Sequence, residues 1–389
     1  MQSFSSIKKL APYAVRVLGR CAAGSLALSL LLPLQALAKN YTELNIFGDS
    51  LVDSGNIFNL TGFPPSPPYA NKLSNGDVWV QPFASHFGLA PSLSSEVLPG
   101  IIAGTTPPPA DGINFALAGS LSSDLNTASP SDPTQPQLPG LQQQIQTFSQ
   151  LAPVLAPDSE ALYVLLAGGN DYNEALFRPE RLTTTLDNLP NQITDNLTSA
   201  TANLINLGAQ HVLVANLPDL GFQPFAQQLN QIDPQNSTRL SSLSAEHNDL
   251  LQTKLSALSA DSGAKITQLD LGGLFEEILA NPDSFGFSDI ANSCLANFQP
   301  GFVFEGVCDN PDEFVFWDNV HPTEALHNLI AQHAIETLEQ KKDGTKEAQS
   351  VPEPSNILAL LLFAGGAALV VSQRSRHRVE PAVQRVRIR

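Results

Sequence analysis

Short apolar runs and longer amphipathic stretches alternate along most of this 389-residue chain. The short runs end near Gly, Asn or Asp and predict strands at residues 44–48, 112–115, 162–167, 211–216 and 266–269. The longer stretches lie between or after them and predict helices at residues 138–151, 182–207, 237–260, 274–279 and 323–338. This alternation indicates an α/β fold, in which a parallel sheet is covered by helices on both faces. Ligands of such sheets bind beyond the carboxyl ends of the strands.

Two segments do not fit the alternating pattern. Residues 57–110 are rich in Pro and Ser, with the runs PPSPP and TTPPP, and residues 120–137 are similar. Both are predicted to be loops. Long loops on an α/β scaffold usually shape a binding site or are mobile.

The amino-terminal residues have the pattern of a secretory signal. Four basic residues within positions 8–20 precede an apolar run at residues 21–34, and the small-residue site Ala36-Leu37-Ala38 follows. This order predicts a signal peptide over residues 1–38 that a signal peptidase removes. The alternative is a retained membrane anchor, which the shortness of the apolar run and Pro33 disfavour.

A second apolar run lies near the carboxyl terminus, after the polar linker 341–350. It covers residues 357–371 and is followed by six arginines, which predicts a transmembrane segment with its basic tail, residues 379–389, in the cytoplasm. Fifteen helical residues span about 22 Å, so the uncharged flanks within residues 354–373 must contribute to cross a core of ~30 Å. The alternative, a buried core helix, is a poor match to a run that six arginines follow.

Charge and cysteine content narrow the class of protein. Between Lys39 and Val351 the chain has 10 Lys and Arg against 35 Asp and Glu, a net charge of −25. Such a surface repels nucleic acid and anionic membranes, so no nucleic-acid partner is expected. Cys294 and Cys308 remain after signal removal, and in an oxidising compartment they predict one disulfide. Two buried free thiols are the alternative; a metal site is less favoured, because no other Cys or His lies nearby at ligand spacing.

The first candidate for chemistry is Ser50 in the sequence IFGDSLVDSGN, residues 46–56. It follows a predicted strand, so its hydroxyl can lie at the edge of the sheet where ligands bind. A serine hydroxyl is a weak nucleophile and needs an adjacent base that a third group orients. The alternative role for Ser50 is a helix cap.

The candidate base lies in FWDNVHPTEALHNLI, just before the last predicted helix. Asp318 and His321 are three residues apart, so one turn can bring the carboxylate against the imidazole. An ionised carboxylate there would fix the tautomer of the ring and stabilise the imidazolium. The alternative is a capping Asp318 and a surface His321. His327 and His333 are six apart, a spacing that metal-binding helices do not use.

Two strand ends offer donors for an oxyanion. The sequence GINFALAGS places Gly119 where a backbone N–H can approach a ligand closely, and LLAGGNDY ends in Asn170, whose side-chain amide can donate. The alternative for both residues is ordinary strand-to-helix turn chemistry.

These elements together resemble the GDSL (SGNH) family of serine esterases and lipases. The chain order Ser50, Gly119, Asn170 and Asp318/His321 is that of the family, in the blocks GDSLVDSGN, NFALAG, GGND and DNVHP. The resemblance spans about residues 44–334. The second block reads Ala-Gly-Ser where many relatives have Gly-Gly-Ala, which implies a slightly different position for the Gly119 amide. No Gly-x-Ser-x-Gly occurs in the chain, which argues against the other common lipase architecture.

The resemblance implies a three-layer α/β/α, flavodoxin-like fold over residues 41–340, with a central parallel sheet of about five strands. It also implies hydrolysis of a small ester or lipid through an acyl-enzyme, with neither metal nor organic cofactor. Ser50 would attack, His321 would act as base and then as acid, and Asp318 would orient it. The Ser50 N–H, the Gly119 N–H and the Asn170 amide would hold the oxyanion.

The sequence VPEPS, residues 351–355, with the apolar run and the arginines up to residue 378, resembles the PEP-CTERM sorting signal of bacteria that make exopolysaccharide. The resemblance implies export to the periplasm, the cell surface or the medium, and processing by an exosortase-type peptidase. If the tail is not removed, it would anchor the protein in the membrane.

Three functions agree with these patterns. The first is a carboxylesterase or lipase, and the second is a phospholipase, acyltransferase or polysaccharide deacetylase of the same fold. The third is a non-catalytic surface or matrix protein, which the presence of every residue that the chemistry needs disfavours.

Overall fold

The computed structural model describes residues 41–340, apart from residues 131, 133 and 300. The predicted signal peptide (1–38), linker (341–350), sorting signal (351–378) with its span (357–371), and basic tail (379–389) lie outside the described residues. Within the described range, the structure has no helix that is both long and apolar enough to cross a membrane.

A six-stranded sheet forms the centre of the molecule. Its strands are β1 Leu44–Gly48, β2 Ser92–Leu93, β3 Ile113–Asn114, β4 Leu162–Leu166, β5 His211–Ala215 and β6 Lys265–Leu269. They are ordered β2-β3-β1-β4-β5-β6, and every neighbouring pair is parallel. If the short edge strand β2 is left out and the other five strands are renumbered in chain order, their order across the sheet is 2-1-3-4-5. This is the strand order of flavodoxin-like folds. The predicted parallel sheet is confirmed, with six strands rather than about five.

Eleven α-helices, four 3₁₀ turns and four further short strands make up the rest of the regular structure in the described residues. The helices are α1 Asn56–Thr61, α2 Val80–His86, α3 Ser94–Ile102, α4 Leu141–Leu155, α5 Gly169–Phe177, α6 Leu189–Asn206, α7 Pro224–Leu229, α8 Asn236–Ser262, α9 Leu271–Ala280, α10 Pro282–Phe285 and α11 Glu324–Gln340. The short strands are β7 Asp289–Ser293, β8 Leu295–Ala296, β9 Gly306–Val307 and β10 Phe314–Phe316, paired as β10 with β7 and β8 with β9.

Two hydrophobic cores lie on opposite faces of the sheet. Strand β4 shows why, because Leu162, Val164 and Leu166 pack into one core while Tyr163 and Leu165 pack into the other. Successive side chains of a strand point to opposite faces, so an all-apolar strand needs a cover on each side. Helices α2, α9 and α11 cover the first face, and α4, α6 and α8 cover the second. The three-layer α/β/α prediction is therefore confirmed.

The prediction that residues 57–110 are loops is wrong in part, because α1, α2, α3 and β2 lie there. These helices have six to nine residues. Isolated helices of that length are marginal, so tertiary packing stabilises them and their local pattern is weak. In α2 the packing residues are Val80, Phe83 and Ala84, all buried. Residues 120–137 contain no helix or extended strand among those described, as predicted.

Two helix starts differ from the sequence prediction for local reasons. Helix α6 begins at Leu189 rather than at residue 182, and Pro190 occupies its first turn, where the missing N–H of proline costs nothing. Helix α9 begins earlier than residue 274, because the Asp270 side chain accepts the Gly273 N–H at 2.9 Å and caps the helix at Leu271.

Cys294 and Cys308, which the sequence predicts to pair, are bonded in the structure. The bridged segment is attached to the strand that leads to Asp318. The amide of Cys294 donates to the Phe316 carbonyl and that of Leu295 to the Trp317 carbonyl, both at 2.9 Å. The disulfide therefore closes a loop whose base lies directly beside the predicted catalytic carboxylate.

We expect replacement of both cysteines by alanine to lower the free energy of unfolding by about 3 kcal/mol, the chain-entropy value for a loop of this length. Urea denaturation of the exported protein measures this. A reductant should destabilise the wild type by a similar amount and leave the double variant unchanged. Equal unfolding midpoints for the two proteins would contradict the expectation.

Candidate active site

Ser50 lies in a tight turn at the carboxyl end of β1 and is 7% exposed. Gly48 precedes it with φ of +149°, and a Cβ at this position would overlap the Leu166 carbonyl oxygen of the neighbouring strand. The Gln144 side chain holds the same residue from α4. Its Oε1 accepts the Gly48 N–H at 2.8 Å and its Nε2 donates to the Gly48 carbonyl at 2.9 Å. The turn that presents Ser50 is thus fixed from both sides.

The chain after Ser50 is tied to the segment that carries Gly119. The buried Asp53 carboxylate accepts the backbone N–H groups of residues 55–57 and also that of Ala118, at 2.6–3.0 Å. From the first turn of α1, Asn56 Nδ2 donates to the carbonyls of Asn114 and Ala116 at 2.8 and 2.9 Å. These bonds hold two of the predicted sequence blocks together.

Ser50, His321 and Asp318 form a continuous hydrogen-bonded row. The Ser50 Oγ lies 3.0 Å from His321 Nε2. His321 Nδ1 lies 2.9 Å from each carboxylate oxygen of Asp318. Because an ionised carboxylate can only accept, Nδ1 carries the ring proton, and Nε2 is left to accept the serine hydroxyl. The structure therefore brings together the three residues that the sequence predicts for nucleophilic catalysis.

The Asp318 carboxylate is 1% exposed and has several donors around it. Its Oδ1 accepts the N–H groups of Val320 and His321 at 2.9 and 2.8 Å. Its Oδ2 accepts the Tyr69 hydroxyl at 2.7 Å. Burial opposes ionisation, but the charge of His321 and these hydrogen bonds hold the pKa of Asp318 below its usual value.

Two opposing effects act on the pKa of His321. Burial disfavours the imidazolium, whereas the charge and hydrogen bond of Asp318, together with the charge of Asp49, favour it. The net result raises the pKa of His321 above its usual value. Asp49 itself is buried beside Ser50, and desolvation raises its pKa to about 7 although its side chain accepts the Leu51 N–H at 3.0 Å.

The predicted oxyanion donors face the same space as the Ser50 hydroxyl. Gly119 has φ of +83°, and a Cβ there would lie 2.6 Å from Thr127 Oγ1 and 2.7 Å from Asn126 Oδ1. Within the described part of the chain, the N–H groups of Ser50 and Gly119 have no acceptor. Asn170, in the first turn of α5, donates one side-chain N–H to the Ser120 carbonyl at 3.0 Å, which leaves its second N–H for a ligand.

A large pocket of about 340 Å³ joins these groups, with Ser50, Gly119, Asn170 and His321 among its lining residues. Its other walls are mostly apolar: Ile57, Phe63, Pro64, Leu73, Ala118, Ala128 and Phe302. Phe63 comes from the segment after α1, and Phe302 from the loop that the disulfide closes. Their rings stack with centroids 6.2 Å apart. The residues of the predicted site therefore open into a pocket whose other walls are mainly apolar.

The two segments that contribute Phe63 and Phe302 to the large pocket also carry exposed apolar side chains. Leu60 is 54% exposed, Phe63 56% and Val303 61%. The segment 56–70 contains no charged residue, although the chain is strongly acidic.

Several residues around the site were not found from the sequence. Tyr69 lies in PPYAN, which carried no chemical pattern of its own, and Gln144 lies inside an amphipathic helix. Asp49 was visible only as a letter of the GDSL motif.

His247 and His327 are buried, and desolvation lowers the pKa of each to about 3. The residues that the structure describes contain no cluster of three or more acidic, His or Cys side chains suited to a metal ion.

Comparison with known sequences gives related proteins over most of the chain. A family model described as GDSL-like Lipase/Acylhydrolase matches residues 44–334. A phosphatidylcholine-sterol acyltransferase from Aeromonas hydrophila is 25% identical over 343 residues, which cover 77% of this chain and 91% of that protein. GDSL esterase/lipase 6 from Arabidopsis thaliana is 28% identical over 314 residues, which cover 74% and 84%.

Solved structures give more distant similarities. The native aryl esterase of M. smegmatis aligns with a TM-score of 0.37 at 16% identity, over 77% of this chain and 99% of that one. The acetyl xylan esterase AlAXEase aligns with a TM-score of 0.35 at 12% identity, over 75% and 97%.

Proposed function

Because the chain belongs to the GDSL-like lipase/acylhydrolase family and is an ester-hydrolysing serine hydrolase, we propose that it cleaves apolar carboxylic esters through an acyl-enzyme on Ser50. The observation that carries this proposal is the row of contacts from Ser50 Oγ to His321 Nε2, 3.0 Å, and from His321 Nδ1 to Asp318, 2.9 Å. Nucleophile, base and orienting carboxylate stand in the order that acyl transfer requires.

In the first half of the reaction, Ser50 Oγ attacks the ester carbonyl carbon while His321 Nε2 takes the hydroxyl proton. The tetrahedral intermediate then collapses, the bond to the alcohol oxygen breaks, and the imidazolium returns the proton to the leaving alkoxide. In the second half His321 deprotonates a water, which attacks the acyl-enzyme, and the carboxylic acid leaves as the proton returns to Ser50. Asp318 stays ionised and stabilises the imidazolium in both halves.

The oxyanion would be held by the Ser50 N–H, the Gly119 N–H and the free amide proton of Asn170. What supports this role is that all three residues line the pocket that contains the Ser50 hydroxyl. Ser120, the departure from the family pattern, holds its own loop: its hydroxyl contacts the Leu117 and Pro139 carbonyls at 2.7 and 2.8 Å. Each such donor is typically worth about 10²–10³ in rate.

The walls of the large pocket support an apolar substrate over an acetylated polysaccharide. A sugar chain offers many hydroxyl groups, and its recognition needs polar partners, whereas the walls beyond the catalytic groups are mainly Ile, Leu, Phe, Pro and Ala. A phospholipase or acyltransferase remains within the same mechanism, because it differs in the leaving group or in the acceptor that resolves the acyl-enzyme. A non-catalytic role is disfavoured by the completeness of the hydrogen-bonded row.

We also propose that the protein works outside the cytoplasm, with residues 1–38 as a cleaved signal and residues 351–378 as a sorting signal for an exosortase-type peptidase. The supporting features are the apolar runs at residues 21–34 and 357–371, with basic residues before the first and after the second. The domain that acts is then residues 41–340.

Ser50→Ala should abolish ester hydrolysis and leave the fold intact, because the side chain contributes a nucleophile and little packing. A fluorophosphonate should label the wild type at Ser50, as peptide mass spectrometry would show. Circular dichroism of the variant serves as the folding control. Label on a different serine, or residual hydrolysis near the wild-type rate, would refute the assigned nucleophile.

Ala128→Phe should narrow the large pocket and change the preference for chain length. A buried methylene is worth about 0.8 kcal/mol, so wild-type kcat/KM should rise roughly fourfold per added methylene until the pocket is filled. In the variant, the ratio of kcat/KM for p-nitrophenyl octanoate to kcat/KM for p-nitrophenyl acetate should be at least tenfold lower than in the wild type. Ala110→Phe, at an exposed position outside the pocket lining, is the matched control. An unchanged octanoate-to-acetate ratio would place the apolar group elsewhere.

The mature protein from its native host should begin after Ala38 and lack the residues of the sorting signal and the basic tail. Intact-mass measurement of the exported fraction tests this. A mature chain that extends to Arg389 would show instead that the tail stays as a membrane anchor.

A further inference from the structure

The Tyr69 hydroxyl donates a hydrogen bond of 2.7 Å to Asp318 Oδ2, across 249 residues of sequence. Tyr69 is 2% exposed, so this contact is shielded from solvent. Burial, together with the charge of Asp318, raises the pKa of Tyr69 far above its usual value. The hydroxyl is therefore protonated at neutral pH and can donate to the carboxylate.

The hydrogen bonds of Asp318 are divided between its two carboxylate oxygens, and the Tyr69 hydroxyl bonds the oxygen that no backbone N–H contacts. Both backbone donors, Val320 N–H and His321 N–H, bond Oδ1, and the imidazole Nδ1 lies equally far from the two oxygens. Among the described residues, Tyr69 is the other side chain that hydrogen-bonds this carboxylate. Without the Tyr69 hydroxyl, Oδ2 would interact with the imidazole alone.

We propose that Tyr69 is a positioning residue, which fixes the orientation of Asp318 and lowers the proton affinity of the Asp318–His321 pair. This inference rests on the proposed function of the pair. A donor to a carboxylate draws charge away from the oxygens, so the imidazolium beside it is stabilised less. His321 therefore stays neutral, and able to accept the Ser50 proton, down to a lower pH than it would without the Tyr69 hydroxyl.

Tyr69 also connects Asp318 to the wall of the large pocket. Its ring packs edge-on against Phe302 and Trp317, with centroid distances of 5.5 and 6.0 Å. Phe302 lines the pocket with φ of 61°, a sparsely populated region for a bulky side chain, so its neighbours must hold it there. One side chain thus contacts the pocket wall with its ring and the catalytic carboxylate with its hydroxyl.

Other charged groups also act on His321. Asp49, at the end of β1, raises its pKa, and Asp318 does so more strongly. His327 of α11 interacts electrostatically with His321 and is neutral at neutral pH, because burial, the charge of His321 and the charge of Lys72 lower its pKa to about 3. The test must therefore separate the effect of Tyr69 from that of Asp49.

Tyr69→Phe removes the hydroxyl and keeps the ring that packs on Phe302 and Trp317. The imidazolium gains stability, so His321 stays protonated to a higher pH. The acid limb of kcat/KM should then move to higher pH by roughly half a unit to one unit. On the plateau, kcat for a short ester should fall several-fold, while KM should change little because the pocket wall is retained.

Two variants are matched controls. Asp49→Asn removes a carboxyl that favours the imidazolium when it is ionised, and it keeps an acceptor for the Leu51 N–H, so any shift of its acid limb should be to lower pH, opposite to that of Tyr69→Phe. Tyr163→Phe deletes the hydroxyl of another buried tyrosine, near the amino end of β4, which donates to the Asp158 carbonyl at 3.2 Å. It should lower stability and leave the pH profile unchanged.

A titration of His321 by NMR gives a readout independent of activity. In Tyr69→Phe the ring should titrate at a higher pH than in the wild type, in step with the kinetic limb. An unmoved limb and an unmoved titration, with loss of stability alone, would overturn the positioning role. Wild-type protein without esterase activity would refute the proposed function instead, and the titration would still decide whether Tyr69 acts on the pair.

Discussion

Burial of the Asp318 carboxylate is the constraint on which the site depends. A buried charge is costly unless donors surround it, and removal of one partner leaves much of that cost uncompensated. Here the donors come from the backbone of its own turn, from the His321 ring and from the distant Tyr69. The fold must therefore bring the Pro-rich segment after α1 to the strand end that carries Asp318. The same contacts hold His321 in the tautomer that can accept a proton from Ser50.

The parallel sheet positions the other residues of the candidate site, Ser50, Gly119 and Asn170. Strands β1, β3 and β4 run in one direction, so the segments that carry Ser50, Gly119 and Asn170 leave the sheet at a common edge. Buried polar side chains then fix their spacing, with Asp53 linking the first two segments and Asp171 accepting the Ser122 N–H and hydroxyl at 2.8 and 2.7 Å. Prearranged donors of this kind need little reorganisation when charge develops in a transition state.

The apolar wall of the large pocket is in contact with the residues that surround Asp318. The loop closed by Cys294 and Cys308 carries Phe302, which stacks on Phe63 and packs on Tyr69. A single loop therefore contributes both to the walls of the large pocket and to the packing around Tyr69, which hydrogen-bonds Asp318. We expect changes in this loop to affect both the pocket walls and the position of the Asp318 carboxylate.

The sequence alone determined the features that depend on local order. Apolar strands predicted the parallel sheet. The blocks around Ser50, Gly119, Asn170 and His321 predicted which segments lie together around the large pocket. The three-residue spacing of Asp318 and His321 also predicted their contact, because one turn can close it.

Tertiary structure alone decided the contacts between distant segments. The 3.0 Å approach of Ser50 to His321 spans 271 residues, and the Tyr69 bond to Asp318 spans 249. Neither leaves a periodic or spacing signal in the chain. Strand β2 and the short helices within residues 57–110 were missed for the same reason, since packing rather than local propensity stabilises such short elements. The shape of the large pocket follows from these long-range contacts, so it could be known only from the folded chain.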